Sequence, residues 1–309
     1  MLKSLYSGIS GMKGFQTKLD VIGNNVANVN TIGFKKSRVI FQDIISQNIA
    51  GATAPTGQLG GVNPKQIGLG SKIASIDTLH TPGSPMTTYV GTDLAIDGDA
   101  FFVVTPEDPK FGGASYLTKA GNFTRDANGD LVNSNGFFVS GVAVDANGIS
   151  QQVKINITKD EVSDKKFTSY SIDSNGYINV VDEDGRSGKL AMVMDPADPD
   201  YGKYYLNDSP TDNQNDNISL TTAVVLNPGG LKKAGNTMFE LTGNSGIADI
   251  GRVESNNGGQ IIAGVLEMSN VDLTEEFTEM IVAQRGFQAN ARTITTSDSI
   301  LEEVVNLKR

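Results

Sequence analysis

The 309-residue sequence contains no cysteine, no tryptophan and a single histidine, His80. The absence of cysteine excludes disulfides, thiolate metal sites, thiol nucleophiles and any cysteine-derived crosslink. A lone histidine leaves no second histidine for a metal site or for a histidine-dependent nucleophile. The formal net charge of −10 argues against a general nucleic-acid-binding protein, because phosphate contacts need clustered lysine and arginine.

Long apolar runs are also missing. No run of eighteen apolar residues occurs, so the sequence predicts no membrane span. Residues 2–12 are interrupted by Lys3, serines and glycines and lack the apolar region of a secretory signal peptide. Taken alone, these absences predict a cytoplasmic protein. The 35 glycines favour a turn-rich β interior, and the length allows two domains.

The last part of the chain, residues 272–309, carries the strongest periodic signal. Asp272 and Glu275 have the spacing of a capping box, and Glu276 and Glu279 place more negative charge near the positive end of a helix. A ten-position heptad seam follows, which is typical of a coiled coil. Its members are Leu273, Phe277, Met280, Gln284, Phe287, Ala291, Ile294, Asp298, Leu301 and Val305.

The first thirty residues show a matching helical face. Residues 1–40 have a net charge of +5 and residues 271–309 a net charge of −3, which favours two terminal helices lying side by side. The alternative is that each helix packs on a central domain instead. The apolar face consists of Leu2, Leu5, Ile9, Met12, Phe15, Leu19, Ile22, Val26 and Val29.

One side of this first helix has three glycines, Gly8, Gly11 and Gly14. Because glycine has no side chain, another backbone can approach that side closely. The glycines also weaken the isolated helix, and we predict that both ends of the chain are disordered in a free monomer. The first helix should end near Asn30, because Asn and Gly33 suit a left-handed cap.

The middle of the chain predicts strands. The tetrad Asp-x-Asn-Gly occurs at 126–129, 145–148 and 173–176, with a variant at 182–185, and each is predicted to be a hairpin turn. The predicted fold class is α+β, with one central all-β domain. The predicted boundaries are terminal helices at 1–30 and 270–309, glycine-rich extended linkers at 31–75 and 251–269, the β domain at 76–250, and a small acidic surface insertion at 187–217.

The chemical motifs all have a simpler explanation. The run from Asp126 to Asp130 begins like a calcium loop, but Leu131 and Phe137 stand where that loop needs Gly and Glu. The acids at 97–99 and 182–184 are predicted to be solvated turn residues rather than acid–base pairs. We therefore predict no catalytic residue, no metal site and no cofactor.

Residues 19–35, LDVIGNNVANVNTIGFK, resemble the N-terminal signature of the flagellar rod and hook proteins. Residues 269–292, SNVDLTEEFTEMIVAQRGFQANAR, resemble the C-terminal signature of that family. Residues 93–102 and 119–125 are similar to its internal segments. These matches are spread along the chain from end to end.

The resemblance implies that the terminal helices pair as a coiled coil around a central channel and that copies of the chain polymerise. It also implies export through the flagellar type III apparatus without a cleaved signal peptide, which replaces the cytoplasmic location by an extracellular one. The expected partners are other copies, the distal rod protein, the hook cap and the hook–filament junction proteins. Neither nucleic acid nor a membrane span is expected.

Within the family, residues 60–70, GGVNPKQIGLG, and the close of the chain are most similar to hook proteins, with distal rod proteins as the alternative. Two other classes stay open at this stage. One is a secreted β-rich adhesin or tail fibre, whose heptads would form a three-stranded bundle. The other is a secreted polysaccharide-degrading enzyme, which would need a carboxylate pair facing one groove.

Overall fold

The computed structural model describes residues 2–55, 60–109, 114–144, 150–195, 198–208, 216–256 and 258–307. It confirms a mixed fold with an N-terminal helix, a C-terminal helix and a β-rich central region. The chain divides into two compact units. The helical unit is Met1–Val29, Lys36–Leu79 and Val271–Arg309, and the β unit is Asn30–Lys35 and His80–Asn270.

The described residues of the helical unit form two long helices and four strands. The α3 helix begins where the capping-box spacing predicts, because the Asp272 carboxylate accepts hydrogen bonds from the backbone N–H groups of Thr274 (2.8 Å) and Glu275 (3.3 Å). Those hydrogen bonds lower the pKa of Asp272. The elements are α1 Leu2–Ala27, β1 Ser37–Asp43, β2 Gln47–Ala50, β3 Lys65–Ile67, β4 Ser71–Thr78 and α3 Leu273–Asn306.

The segment predicted to be an extended linker is partly paired. Strands β1 and β4 form an antiparallel pair in which Val39 lies opposite Ile76, and β2 pairs with β3. Exposure alternates along β1 and β4, with Val39, Phe41 and Ile73 half-buried. Ile40 and Ile76 are exposed on the other face. Apolar residues therefore occur on both faces of these strands, and the sequence does not alternate between apolar and polar residues.

The β unit is built from antiparallel strands. Its elements are β5 Pro85–Thr87, β6 Leu94–Asp97, β7 Phe101–Thr105, β8 Tyr116–Thr118, β9 Phe123–Arg125, β10 Leu131–Asn133, β11 Phe138–Val144, β12 Ser150–Lys154, β13 Lys159–Asp160, β14 Lys165–Ile172, β15 Ile178–Asp182, β16 Ser187–Met192, β17 Tyr204–Asn207, β18 Ser219–Val225, β19 Lys232–Gly235, β20 Met238–Glu240, β21 Ala248–Arg252, α2 Val253–Asn256, β22 Gln260–Ala263 and β23 Val265–Glu267.

Strand β7 lies at the centre of the larger sheet and is buried on both faces. Phe102 and Val104 point into one apolar core, while Phe101 and Val103 point into a second. The sheet has ten strands in the order β19-β20-β8-β7-β18-β11-β10-β9, with β12 beside β11 and β21 beside β18. Two cores on one strand explain why its sequence is continuously apolar rather than alternating.

A second sheet of five strands runs in chain order from β13 to β17 and shares the first core with the larger sheet. Leu190 and Met192 of β16 are fully buried there. Strands β16 and β17 therefore belong to the sheet, although the sequence suggested a surface insertion over 187–217. Residues 196–197 and 209–215 of that stretch lie outside the described residues.

Three of the four predicted hairpin turns are confirmed. Gly129, Gly176 and Gly185 have positive φ angles of 86°, 80° and 78°. Each glycine N–H donates to the carbonyl of the aspartate three residues earlier, at 2.9–3.1 Å. These turns join β9 to β10, β14 to β15 and β15 to β16. The fourth, at 145–148, lies outside the described residues.

The β unit also buries an ion pair. The Lys35 side chain is fully buried and donates to Glu267 Oε1 at 2.5 Å and to the Thr81 carbonyl at 2.8 Å. Lys119 lies 4.0 Å from the other carboxylate oxygen, and burial lowers its pKa to about 8. The Glu267 carboxylate is therefore the anionic partner of two buried ammonium groups, those of Lys35 and Lys119.

His80 lies beside this ion pair. The centroid of its ring is 5.6 Å from that of the Phe101 ring and 5.3 Å from that of the Phe239 ring. Burial lowers the pKa of His80 to about 4, with a further contribution from the charges of Lys35, Lys119 and Lys233. The imidazole is therefore neutral at pH 7.

Candidate assembly interface

The two long helices of the helical unit pack against each other in antiparallel directions. Gly8 of α1 faces Ile294 of α3, whereas Asn25, near the end of α1, donates a hydrogen bond to Glu276 at the start of α3. The helix pair predicted from the two terminal periodicities is therefore present as a contact between α1 and α3. Its coiled-coil supercoil remains a prediction.

Glycines allow α1 to approach α3 and β1 closely. A Cβ atom on Gly286 would lie 2.6–2.9 Å from three ring atoms of Phe15, and one on Gly11 would lie 2.9 Å from the Asn290 amide. Gly14 faces the ring of Phe41 in β1 instead, at 2.7 Å. Because atoms at these distances would overlap, the glycines are what let the helices and the strand approach.

Polar contacts fix the other end of the pair. The Asn25 side chain donates to the Ser37 carbonyl at 2.8 Å and to Glu276 at 3.1 Å, and it accepts from the Ser37 N–H at 3.0 Å. Burial raises the pKa of Glu276. Ion pairs join Lys18 to Glu279 and Lys36 to Glu275. These contacts fix the register of α1 on α3.

The predicted seam residues of α1 mostly face inward. Ile22 is buried, and Ile9 is exposed. The side chain of Leu2 lies outside the described part of the chain. The half-buried members are Leu5, Met12, Phe15, Leu19, Val26 and Val29.

The predicted seam of α3 is only partly inward-facing in the single chain. Met280, Ala291, Ile294 and Leu301 are half-buried. The exposed members of the apolar set are Leu273, Phe277, Phe287 and Val305, at 37–65% of full exposure.

The buried positions of α3 are ones that sequence reasoning missed. Glu276, Ala283 and Ser297 are buried, and Asn290 contacts Gly11. These four residues recur every seven positions, each one step before a member of the predicted seam, which is Phe277, Gln284, Ala291 or Asp298. The heptad spacing was a usable signal, but small and polar side chains concealed it.

Apolar side chains on α3 remain uncovered within one chain. Phe277 and Ile281, one turn apart, are both at least half exposed, and Val282 lies beside them. Exposed apolar stripes of this kind mark interaction surfaces in soluble proteins. Such a surface can bind a partner by burial of apolar area, and it offers no group for covalent chemistry.

The described residues contain no group of three or more His, Asp or Glu side chains placed to hold a metal ion. None of the helices within those residues is both long enough and apolar enough to cross a membrane.

Three family descriptions match the chain. Residues 5–35 match "Flagella basal body rod protein", residues 95–180 match "Flagellar hook protein FlgE/F/G D1 domain", and residues 262–307 match "Flagellar basal body rod FlgEFG protein C-terminal". The two terminal matches fall on α1 and α3, and the central match falls on the β unit.

Two of the proteins similar to this chain match it over its whole length, and a third matches part of it. Flagellar basal-body rod protein FlgG of Bacillus subtilis is 46% identical over the full length of both chains. Flagellar hook protein FlgE of Borreliella burgdorferi is 33% identical, also over the full length of both. Flagellar hook protein FlgE of Helicobacter mustelae is 49% identical over 142 residues, which are 46% of this chain and 31% of that protein.

Proposed function

The chain belongs to the flagellar rod and hook protein family, and we propose that within this family it is the structural subunit of the flagellar hook. Copies polymerise into a curved tube that transmits torque from rod to filament and conducts exported subunits. The observation that carries the polymerisation is the apolar surface of α3, which a single chain leaves uncovered. Contacts between copies supply the missing cover.

The assembly interface is formed by the apolar residues of α1 and α3 named from the sequence. In the polymer, the exposed members Leu273, Phe277, Phe287 and Val305 pack against neighbouring copies, while glycines hold α1 and α3 together within each copy. The helix pairs form the inner, coiled-coil layer. The chain has no catalytic role and no cofactor in this proposal.

Three features support the hook over other axial positions. Residues 60–70 and the close of the chain resemble hook proteins. The Helicobacter mustelae hook protein is 49% identical over 142 residues, which are 46% of this chain. Exposed apolar residues in and around the β2–β3 hairpin, including Ile45, Ile49 and Ile67, provide further surface for contacts that rearrange as a curved tube turns.

The distal rod is a second candidate, favoured by length and overall identity. The Bacillus subtilis rod protein aligns over 313 positions, close to the 309 residues here. The Borreliella burgdorferi hook protein needs 449 positions, so it contains a large portion with no counterpart in this chain. A straight, rigid tube would be the product in that case.

The proposal also includes location and partners. Copies leave the cell through the flagellar type III export apparatus without loss of a signal peptide and assemble outside it. The tube joins the distal rod protein at one end and the hook–filament junction proteins at the other, under a hook cap during growth.

Electron microscopy of the polymerised full chain tests this proposal. A curved tube of uniform diameter supports the hook, a straight tube supports the distal rod, and the absence of any tube contradicts both. Ile281→Asp, on the exposed stripe of α3, should prevent polymerisation. Val162→Asp is the matched control, because Val162 is similarly exposed but lies in the β unit, and it should polymerise normally.

A further inference from the structure

The last turns of α3 expose apolar side chains that α1 does not cover. Val304, Val305 and Leu307 are exposed, Leu307 to 86%. Ile294 is the side chain of α3 nearest to Gly8. Helix α3 runs 12 residues beyond Ile294, to Asn306, whereas α1 has 6 described residues before Gly8. At 1.5 Å per residue, α3 extends about 9 Å past the start of α1.

The opposite end of the same helix pair contains a cavity of about 280 Å³. This volume is many times the ≈ 30 Å³ share of one water molecule. Its apolar lining residues are Val21, Ile22, Val39 and Leu79, from α1, β1 and the residue after β4. These side chains are suited to contact with aliphatic side chains.

Charged residues surround the cavity and match the charges near the end of α3. The rim has the acids Glu275 and Glu279, each about half exposed, and the cations Lys18, Lys36 and Arg38. The exposed end of α3 is followed in the sequence by Lys308 and Arg309, and it is preceded by Glu302 and Glu303. Glu275 and Glu279 each pair with a rim lysine in the same copy, but at about half exposure they can also attract the cations Lys308 and Arg309 of a neighbouring copy.

We propose that the exposed end of α3 in one copy, residues 304–307, inserts into this cavity of the next copy. The two surfaces lie at opposite ends of one helix pair, so the contact is head-to-tail. A head-to-tail contact between identical chains builds an open filament rather than a closed dimer. The inference rests on the proposed polymerisation and assigns the residues of one axial contact.

Cysteine crosslinking tests this contact. Because the sequence contains no native cysteine, only the introduced cysteines can form disulfides. One preparation carries only Leu307→Cys and a second carries only Val39→Cys. The two are mixed, polymerised and oxidised. We expect a disulfide-linked dimer in the polymer on a non-reducing gel, and none when the same mixture is oxidised as monomers.

The control mixture pairs Val39→Cys with Ile247→Cys, a fully exposed position in the β unit, and should give no dimer. Tubes without the Leu307–Val39 dimer would overturn the contact and leave the proposed polymerisation intact. A dimer of Val39→Cys with Tyr6→Cys instead would place the start of α1 in the cavity and would also overturn it. Failure to form any tube would contradict the proposed function itself.

A second measurement does not depend on disulfide geometry. Leu307→Asp should raise the critical concentration for polymerisation about tenfold, while Leu307→Met should leave it within about twofold. Because Leu307 is exposed in the single chain, neither substitution should change the thermal unfolding of the monomer. An unchanged critical concentration for Leu307→Asp would contradict the insertion.

Discussion

The helical unit and the β unit differ in what they do with apolar side chains. The β unit closes two cores in which Phe101, Phe102 and Leu117 are almost wholly buried. The helical unit buries few apolar side chains, and three of its buried residues are the polar Asn25, Glu276 and Ser297.

The difference indicates what each unit needs in order to be stable. Burial of apolar surface is the main favourable term in folding, so the β unit contains its own source of stability. The helical unit leaves much of its apolar surface in water, and in the proposed polymer other copies cover that surface. The predictions below test this contrast, beginning with the largest effect.

Phe102→Ala should destabilise the β unit by about 3–5 kcal/mol, because it opens a cavity in the first core. The matched change in the helical unit, Phe277→Ala, should alter monomer stability by only about 0.5 kcal/mol, because that ring is half exposed. Urea unfolding of the monomer measures both. Equal losses would show that the contrast between the units is wrong.

Glu267→Gln should also destabilise the β unit strongly, by about 3–5 kcal/mol, since it leaves Lys35 and Lys119 buried without a carboxylate. The control is Lys232→Met, which removes the exposed ion pair with Glu240 and should have little effect. Thermal unfolding of both variants provides the comparison. A mild effect of Glu267→Gln would mean that the stability of the β unit does not depend on this ion pair.

Acid should weaken the β unit through His80. Its pKa is about 4 in the folded state and near 6.5 when unfolded, so between these values the unfolded chain binds more protons. Stability from the neutral imidazole is complete above pH 6.5 and is lost as the pH falls toward 4. Urea midpoints from pH 7.5 to 4.5 should fall less in His80→Gln than in the unaltered chain. Parallel pH profiles would exclude His80 as the cause.

The smallest effects concern glycines of the helix pair. Gly23→Ala should stabilise α1 by about 0.5–1 kcal/mol, because an added Cβ meets no atom within 4 Å. Gly286→Ala should instead weaken the pair, because its Cβ would overlap the Phe15 ring. Helix content by far-UV circular dichroism, measured in polymers, should rise in the first variant and fall in the second. A change in helix content in the same direction in both variants would show that the glycines do not determine the distance between the helices.

Local signals in the sequence predicted local structure well. The Asp272 cap, the start of α3 and three aspartate–glycine turns were all found, because each depends on residues within one turn of chain. The segment 187–192 was misjudged, because its charged surroundings concealed the buried Leu190 and Met192. The burial of Lys35 had no sequence signal, since its partner Glu267 lies 232 residues away.

The two terminal helices, the β-rich middle and the family could all be predicted from the sequence alone, since they follow from periodicity, turn chemistry and signature residues. The face of α3 that packs against α1 became evident only from the folded chain. Close approach there is governed by glycines and by Glu276, Ala283, Asn290 and Ser297, whose small or polar side chains carry no hydrophobic period. Packing of two helices depends on shape at the contact, and shape is a property of both partners together.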